Sequence, residues 1–407
     1  MRVLALGGAG AMGAAAVRIA AQFPDVDEIV IADRDIGAAQ ELSDRLPEVT
    51  APVRVAQVDV TDSDGLHAAL EQADVVLNTV GPYYRFGLTV LRAAIETGTD
   101  YLDICDDWEP TLDMLALDAE ARAAGVCAIV GMGASPGVSN LLALSAARSL
   151  DRVHDVYTAW PVDVAGADDD RAQLIGPDGR PSAAAVHWMQ QISGTIATVA
   201  DGRLLRQRPL RPLRLVLPGD RCGTAYTVGH PEPVTLHRSL EITGDAVNLM
   251  VIRSPTVAYL DGLRRDIDAG ALTNQQAAAL IAEPTLSRGV RSLISALRFE
   301  SPGTLPPFFA VATGLRDDRP ETVLARLSSG LETFAVTTDM ATATGIPLAL
   351  GLSQLIGAGI RRPGVHPPEA VIDPDRFFAG LLAHLGDPDA TAAVVIERST
   401  LAPLADR

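Results

Sequence analysis

The chain contains no lysine: all 33 of its basic residues are arginines. Schiff-base catalysis and a lysine general base are therefore excluded, and any proton transfer falls to His, Asp, Glu, Tyr, Cys or water. Cysteine is scarce as well. Cys105, Cys127 and Cys222 are odd in number and lack metal-ligand spacing, which fits a reducing cytosol, excludes a structural zinc site and predicts no metal. Positive charge is in deficit, with a net charge of −18 and a pI near 4.7. That balance argues against nucleic acid and against an anionic membrane surface as partners. The chain opens directly on an apolar strand, leaving no room for a signal peptide, so a cytoplasmic protein is expected. Ala341 to Ile360 is uncharged over 20 residues. Its Thr342, Thr344, Gly345, Pro347, Gly351, Ser353, Gln354 and Gly357 suit a buried helix better than a membrane span.

What the chain does have is a glycine-rich turn in a telling setting. Val3 to Gly13 reads VLALGGAGAMG, an apolar run breaking into Gly8-x-Gly10-x-x-Gly13 and continuing through Ala11, Met12 and an Ala-rich helix. A second apolar run, Glu28 to Ala32, ends on Asp33, 20 residues after Gly13. A lone GxGxxG is weak, but strand, glycine turn, helix, strand and terminal acid in this order predict a dinucleotide-binding unit. Gly8 allows the tight turn, Gly10 the approach of backbone to a pyrophosphate, and Gly13 close helix–strand packing. The helix N-terminus offers free N–H groups to the phosphates. Asp33 would accept hydrogen bonds from ribose hydroxyls and favours NAD. Arg34, next to it, could grip a 2′-phosphate and so leaves NADP possible.

With 407 residues the chain predicts two domains. Through residue 137, strands and helices alternate as a parallel sheet demands. Val53–Val60, carrying Asp59 near its end, Asp74–Asn78, Asp100–Ile104 and Val126–Gly131 read as strands. Leu66–Glu71, Gly87–Thr97 and Leu112–Ala124 read as helices. The strand ends at Asn78-Thr79-Val80-Gly81-Pro82, Asp103–Asp107 and Gly133–Gly137 should converge on a ligand crevice. From about residue 153 the pattern changes. Val153–Trp160, Thr195–Ala200, Leu213–Leu217, Val234–Ile242, Ala246–Ile252 and Phe308–Thr313 read as strands, with helices over Thr256–Ala269 and Asn274–Leu297. Turns at Asp201-Gly202 and Pro218-Gly219-Asp220 separate strands. Leu331–Val336 reads as a last strand region and Asp168-Asp169-Asp170 as a solvated loop. The prediction is a Rossmann-like α/β domain over 1–137, an inserted α+β domain with a mostly antiparallel sheet over 138–336, and a C-terminal segment, 337–407, packing back on the first domain.

Several motifs together carry a resemblance. They are Gly8–Gly13, Asn78–Pro82, Tyr101-Leu102-Asp103, Gly131-Met132-Gly133-Ala134-Ser135-Pro136-Gly137-Val138-Ser139-Asn140, Ala343-Thr344-Gly345-Ile346-Pro347 and Arg362-Pro363-Gly364-Val365-His366-Pro367-Pro368-Glu369. In this series the chain resembles the saccharopine dehydrogenase-like family, its lysine 6-dehydrogenase branch most of all. The resemblance implies pyridine-nucleotide chemistry at a C–N bond, by amine oxidation or imine reduction on an amino-acid-like substrate. It also implies an inserted domain for substrate and dimerisation, hence a homodimer. The lysine-dependent acid–base pair of the lysine-forming members has no counterpart here. Reduction of a C=C or C=O bond, and a catalytically silent nucleotide-binding protein, stand as alternatives.

Candidate site residues follow from position and chemistry. Asp103, with Asp106 and Asp107 behind it, lies at a strand end, where clustered carboxylates raise a pKa and attract a cation. Tyr83 or Tyr84 offers a ring beside the nicotinamide, Tyr83 being the candidate for substrate. By resemblance Tyr226 and His230, in a polar turn running to Pro233, face the cleft as proton donors opposite Asp103. His187 is a weaker candidate, and Arg238 could hold a substrate carboxylate. Cys105 reads as small filler.

Overall fold

The computed structural model describes residues 1–47, 51–163, 174–175, 180–331, 334, 339–357, 359–386 and 390–400. The chain divides into two compact units, Met1–Leu141 with Thr338–Gly386, and Leu142–Thr337 with Asp387–Arg407.

The first unit is built on β1 (Arg2–Leu6), β2 (Glu28–Asp33), β3 (Val53–Gln57), β4 (Val75–Asn78), β5 (Asp100–Asp103) and β6 (Cys127–Ile129). A further strand from far downstream, β15 (Gly364–His366), adds to its edge. The order is β15-β6-β5-β4-β1-β2-β3 and every pair is parallel. Strands such as Val3–Leu6 and Val75–Asn78 are buried throughout, as parallel strands covered by helices on both faces must be. The crossovers between consecutive strands carry α1 (Ala11–Ala20), α2 (Ile36–Arg45), α3 (Ser63–Leu70), α4 (Tyr83–Thr97), and the pair α5 (Trp108–Leu115) and α6 (Asp118–Ala124). The single helix expected over Leu112–Ala124 is thus two.

The uncharged run near the C-terminus forms one helix, Met340–Gly357, buried from Gly345 to Leu352. By length and composition alone it could cross a membrane. Instead it lies on α1, so closely that a Cβ on Gly345 would stand 2.5 Å from the Met12 carbonyl oxygen and 2.6 Å from Ala15 Cβ.

The second unit holds β7 (Arg152–Pro161), β8 (Ile196–Ala200), β9 (Arg203–Gln207), β10 (Pro212–Leu217), β11 (Arg221–Thr227), β12 (Ala246–Val251), β13 (Phe309–Arg316), β14 (Arg319–Leu327) and β16 (Val394–Ser399). Its main path runs β10-β11-β12-β7-β13-β14-β16, with β8 joining β12 to β9. Only the β7–β12 pair is parallel. Asp201 and Gly202 both take positive φ and join β8 to β9 as a two-residue hairpin turn.

Three further expectations are corrected. The segment expected as a strand over Val234–Ile242 is a helix, Glu232–Leu240, with proline in its first turn. Proline at a helix start has its φ already set and loses no hydrogen bond there, which outweighs the β-branched Val234 and Thr235. The helix expected over Asn274–Leu297 breaks at Pro284 into Asn274–Ala282 and Leu286–Ser295. The C-terminal segment does not belong wholly to the first unit, because β16 pairs antiparallel with β14 in the second sheet. Asp168–Asp170 and most of Leu331–Val336 lie outside the described residues.

Candidate functional site

The glycine turn after β1 is closed from below by hydrogen bonds from the Gly7 and Gly8 amides to the Ala32 carbonyl, at 2.8 and 3.3 Å. A Cβ on Gly13 would lie 2.6 Å from the Gly7 oxygen and 2.7 Å from Thr79 Oγ1, so only glycine fits where α1 crosses the turn. Gly10 caps α1 with no side-chain hydrogen bond. A Cβ there would meet nothing within 4 Å except the Gly7 oxygen. Ala11 and Met12 open the helix, whose first amides have no side chain to satisfy them. This is the cradle a dinucleotide pyrophosphate requires, and the residues fit such a group.

Thr79 completes the turn. Its hydroxyl lies 3.1 and 3.0 Å from the Leu6 and Gly7 carbonyl oxygens, tying the end of β4 to the end of β1. Gly81 is exposed and Pro82 caps α4. At the end of β2, Asp33 is half-buried, and its Oδ1 accepts from the Asp35 amide at 3.1 Å. Arg34 beside it is exposed. Asp59 is also exposed. The Thr61 hydroxyl and amide hold its carboxyl below the usual carboxylate range, and the charge of Arg34 adds to the effect.

Beneath the crevice lies a buried polar chain. Asn78 donates to the Tyr101 hydroxyl at 3.0 Å, and Tyr101 donates to Asp103 Oδ2 at 2.7 Å. Asp103 Oδ1 accepts from the amides of Gly131 and Cys105 at 2.7 and 3.1 Å. Asp103 is fully buried, so desolvation dominates and lifts its pKa to about 6, against the pull of these three donors. Both its oxygens are committed to its own chain. It is thus at the strand end where the sequence places it, but buried beneath the crevice and tied to its own chain rather than free on a cleft wall. Tyr83 is corrected too: it is buried, donates to the Asn78 carbonyl at 2.7 Å, and burial pushes its pKa well up. Tyr84 is the exposed member of the pair. Asp106 is half-buried in the loop after β5, and buried Cys105 has its thiol pKa raised, as expected of filler.

The Gly133–Gly137 turn is locked by the Gly133 amide on the Pro136 carbonyl at 2.9 Å. Gly137 has φ +118, and a Cβ there would overlap the Gly133 oxygen at 2.0 Å. Three of the sequence motifs meet around this turn. The Thr344 methyl faces Gly133, 3.1 Å from where a Cβ would stand. Asn140 accepts from the Gly137 amide at 3.0 Å and donates to Glu369 at 2.9 Å across 229 residues of chain. Tyr101, Asn140 and Glu369 have structural roles the residue-by-residue reading missed, although all three lie inside its quoted motifs.

In the second unit, Tyr226 to Pro233 is no polar surface turn. Tyr226 is the last residue but one of β11, is 1% exposed and donates to the Glu300 carbonyl at 3.0 Å; burial raises its pKa to about 12. A phenol held there is a poor acid at neutral pH, against its expected role as proton donor. His230 is buried on Trp160, ring centroids 5.4 Å apart, with Nδ1 3.4 Å from Glu232. His187 lies half-buried on the helix Ala183–Gln191 with Nε2 2.8 Å from the Gln191 amide. Arg238 is exposed in the last turn of Glu232–Leu240, on a helix rather than the expected strand.

Comparison with known proteins agrees with this geometry. Residues 3–129 match the family model described as the saccharopine dehydrogenase NADP binding domain. The chain is 33% identical over 121 residues to a trans-acting enoyl reductase of Mycobacterium leprae, covering 27% of this chain and 28% of that protein. It is 25% identical over 156 residues to a carboxyaminopropylagmatine dehydrogenase of Synechocystis, covering 36% and 38%. The matches thus span well under half of these relatives. The fold is similar over nearly its whole length to saccharopine dehydrogenase (L-Glu forming) of Saccharomyces cerevisiae, with a TM-score of 0.65, 15% identity, and 98% and 99% of the two chains covered.

Proposed function

We propose that this chain, whose residues 3–129 match the saccharopine dehydrogenase NADP binding domain, is a pyridine-nucleotide-dependent oxidoreductase acting on a C–N bond. The observation that carries the reading is the cradle of Gly8, Gly10 and Gly13, clamped by Thr79, with Asp33 at the end of the neighbouring strand. A bound nicotinamide would supply the hydride acceptor or donor. In the oxidative direction the substrate carbon loses a hydride and its nitrogen a proton, leaving an imine. The net charge of −18 favours the approach of a cationic amine. A carboxyaminopropylagmatine dehydrogenase among the relatives favours an amino-acid-like amine.

Within this reading Asp103 is a positioning residue that fixes Gly131 and Tyr101. His230, oriented by Glu232, is the candidate proton carrier, since Tyr226 is held unionised. NAD is the preferred cofactor. Asp33 Oδ1 is tied to the Asp35 amide and Oδ2 has no hydrogen bond among the described residues, leaving it able to take a ribose hydroxyl and to repel a 2′-phosphate. Fluorescence titration should therefore show tighter NADH than NADPH binding, and Asp33→Ala should narrow or invert the ratio. Tighter NADPH binding by the unaltered chain would assign the pocket to Arg34. The resemblance also carries a homodimer through the second unit, for which light scattering should return twice 42.7 kDa. Three unpaired cysteines suit a reducing, cytoplasmic compartment.

The enoyl reductase among the relatives supports a second reading, reduction of a C=C bond by the same cofactor. A panel of amino acids, diamines and imines, followed by NAD(P)H absorbance with product analysis, separates the two. Release of ammonia or an amine supports C–N chemistry; turnover of enoyl substrates alone overturns it.

A further inference from the structure

The helix Leu286–Ser295 and the short turn after it expose Leu286, Val290, Leu293, Ile294 and Leu297, from 59% to 92% accessible. At 3.6 residues per turn these five side chains fall within an arc of about 100°, one continuous ridge on a single face. The opposite face is anchored. Ser292 is buried and donates to the Pro255 carbonyl at 2.7 Å, and Arg288 pairs with Asp266 at 2.7 Å. The ridge therefore points away from the unit that carries it, and so large an apolar face is not a neutral surface feature.

Charge identifies what covers it. Between Glu283 and Glu300 there is no acidic residue and there are three arginines, Arg288, Arg291 and Arg298, in a chain whose net charge is −18. Arg291 and Arg298 flank the ridge, are exposed, and make no ion pair among the described residues. Beside the ridge, a groove of about 120 Å³ between this helix and Ser254–Asp268 is lined by Arg265, Arg288, Arg291, Ser292 and Ser295; Arg265 pairs with Asp261 at 3.2 Å and Arg288 with Asp266, which leaves Arg291 as its unpaired cation among the described residues. An apolar ridge bordered by arginines and an arginine-lined groove is complementary to a surface that offers hydrocarbon beneath a layer of phosphates. A symmetric contact with a second copy would instead bring the same unpaired arginines toward one another.

We infer that the Leu286–Leu297 ridge docks on an anionic lipid bilayer, its leucines and isoleucine entering the acyl boundary and its arginines taking headgroup phosphates. The net charge by itself argues against an anionic membrane surface, and the proposal departs from that expectation because charges beyond about 8 Å are screened at physiological salt and the local segment is basic.

The test is flotation of the full chain with phosphatidylcholine vesicles, with and without phosphatidylglycerol. The expected result is binding to the anionic vesicles only, weakened by high salt. The double variant Leu293→Ser/Ile294→Ser should bind at least about tenfold more weakly, and Arg291→Ala should bind more weakly with a shallower salt dependence. All three positions are exposed, so unchanged thermal melting and NADH binding should accompany the loss. Absence of binding to anionic vesicles, or equal binding by the double variant, overturns the inference. If the unaltered chain ignores vesicles and the double variant halves its mass in light scattering, the ridge is a contact between copies and the lipid assignment falls.

Discussion

At the scale of single residues, the most informative group is Asp103. Its carboxyl is protonated more readily in the folded chain, near pH 6, than at the ordinary value of 3.8. Folding therefore takes up a proton in this window: the stabilisation is present below about pH 4 and is lost as pH rises through about 6. The shift corresponds to about 3 kcal/mol at most. Asp103→Asn should remove this component, flattening the fall in Tm between pH 4 and 6.5 relative to the unaltered chain. It should also cost about 1–3 kcal/mol at neutral pH, because an amide nitrogen facing Tyr101 cannot accept the phenol's proton. The sequence marks Asp103 by its place at a strand end, but not its burial. That follows from Gly131 and Cys105 closing over it, a contact set by the neighbouring strand β6 and invisible to local pattern. The glycines of the turn and the strand-end place of Asp33 were legible because turn geometry and spacing fix them. His230 was legible only as a residue type, since its burial depends on Trp160 from another strand.

At the scale of elements, two attachments decide whether the C-terminal segment completes the first unit. The helix Met340–Gly357 approaches α1 at Gly345, where a Cβ would stand 2.5 Å from backbone oxygen. Gly345→Val should force the helices apart, costing about 1–3 kcal/mol by overpacking and weakening cofactor binding through α1. Calorimetry with and without NADH measures both. The second attachment is the fork of Arg361 on buried Asp100, at 2.6 and 3.1 Å, which also reaches the Gly125 carbonyl at 2.8 Å. Arg361→Met leaves that carboxylate buried beside the Cys127 amide without its cation. A loss of about 1–3 kcal/mol is expected, less than for a fully buried pair because the arginine is half-exposed. Continuous apolar strands such as Val75–Leu77 were legible from sequence because both faces are covered. β9 was not: Arg203-Leu204-Leu205-Arg206-Gln207 is an exposed strand without alternation, held by the hairpin turn before it. The helix Glu232–Leu240 was misread for the converse reason, its proline start being a weaker signal than Val234 and Thr235.

At the scale of the whole molecule, the absence of lysine sets the response to alkali. In an ordinary protein, ammonium groups discharge around pH 10.4 and the net charge falls steeply. Here every basic side chain is a guanidinium, which stays charged beyond pH 12. The groups left to titrate between pH 8 and 10.5 are three cysteines and six tyrosines, besides the terminal amine. Cys105 and Cys127 are raised by burial, Tyr83 and Tyr101 lie well above their usual value, and Tyr259 is raised. Tyr226 titrates near 12. The buried Cys105, Tyr83 and Tyr101 therefore add no charge to the folded chain, already at −18, over that range, and with no ammonium groups to discharge, self-repulsion grows less than in a lysine-bearing protein. The linkage has a definite sign. Phenols whose folded pKa is raised contribute stability that is complete below about pH 10 and is lost only as the pH climbs above it. Stability should consequently stay flat from pH 8 to about 9, begin to fall there as thiols ionise in the unfolded chain while buried Cys105 and Cys127 keep their protons, and fall more steeply beyond about 10 as the phenols follow. Denaturant unfolding across this range, with tyrosinate absorbance at each pH, checks the expectation. Level stability up to about pH 10, with loss appearing only as tyrosinate forms, would show that the phenols and not the buried thiols govern the alkaline limb.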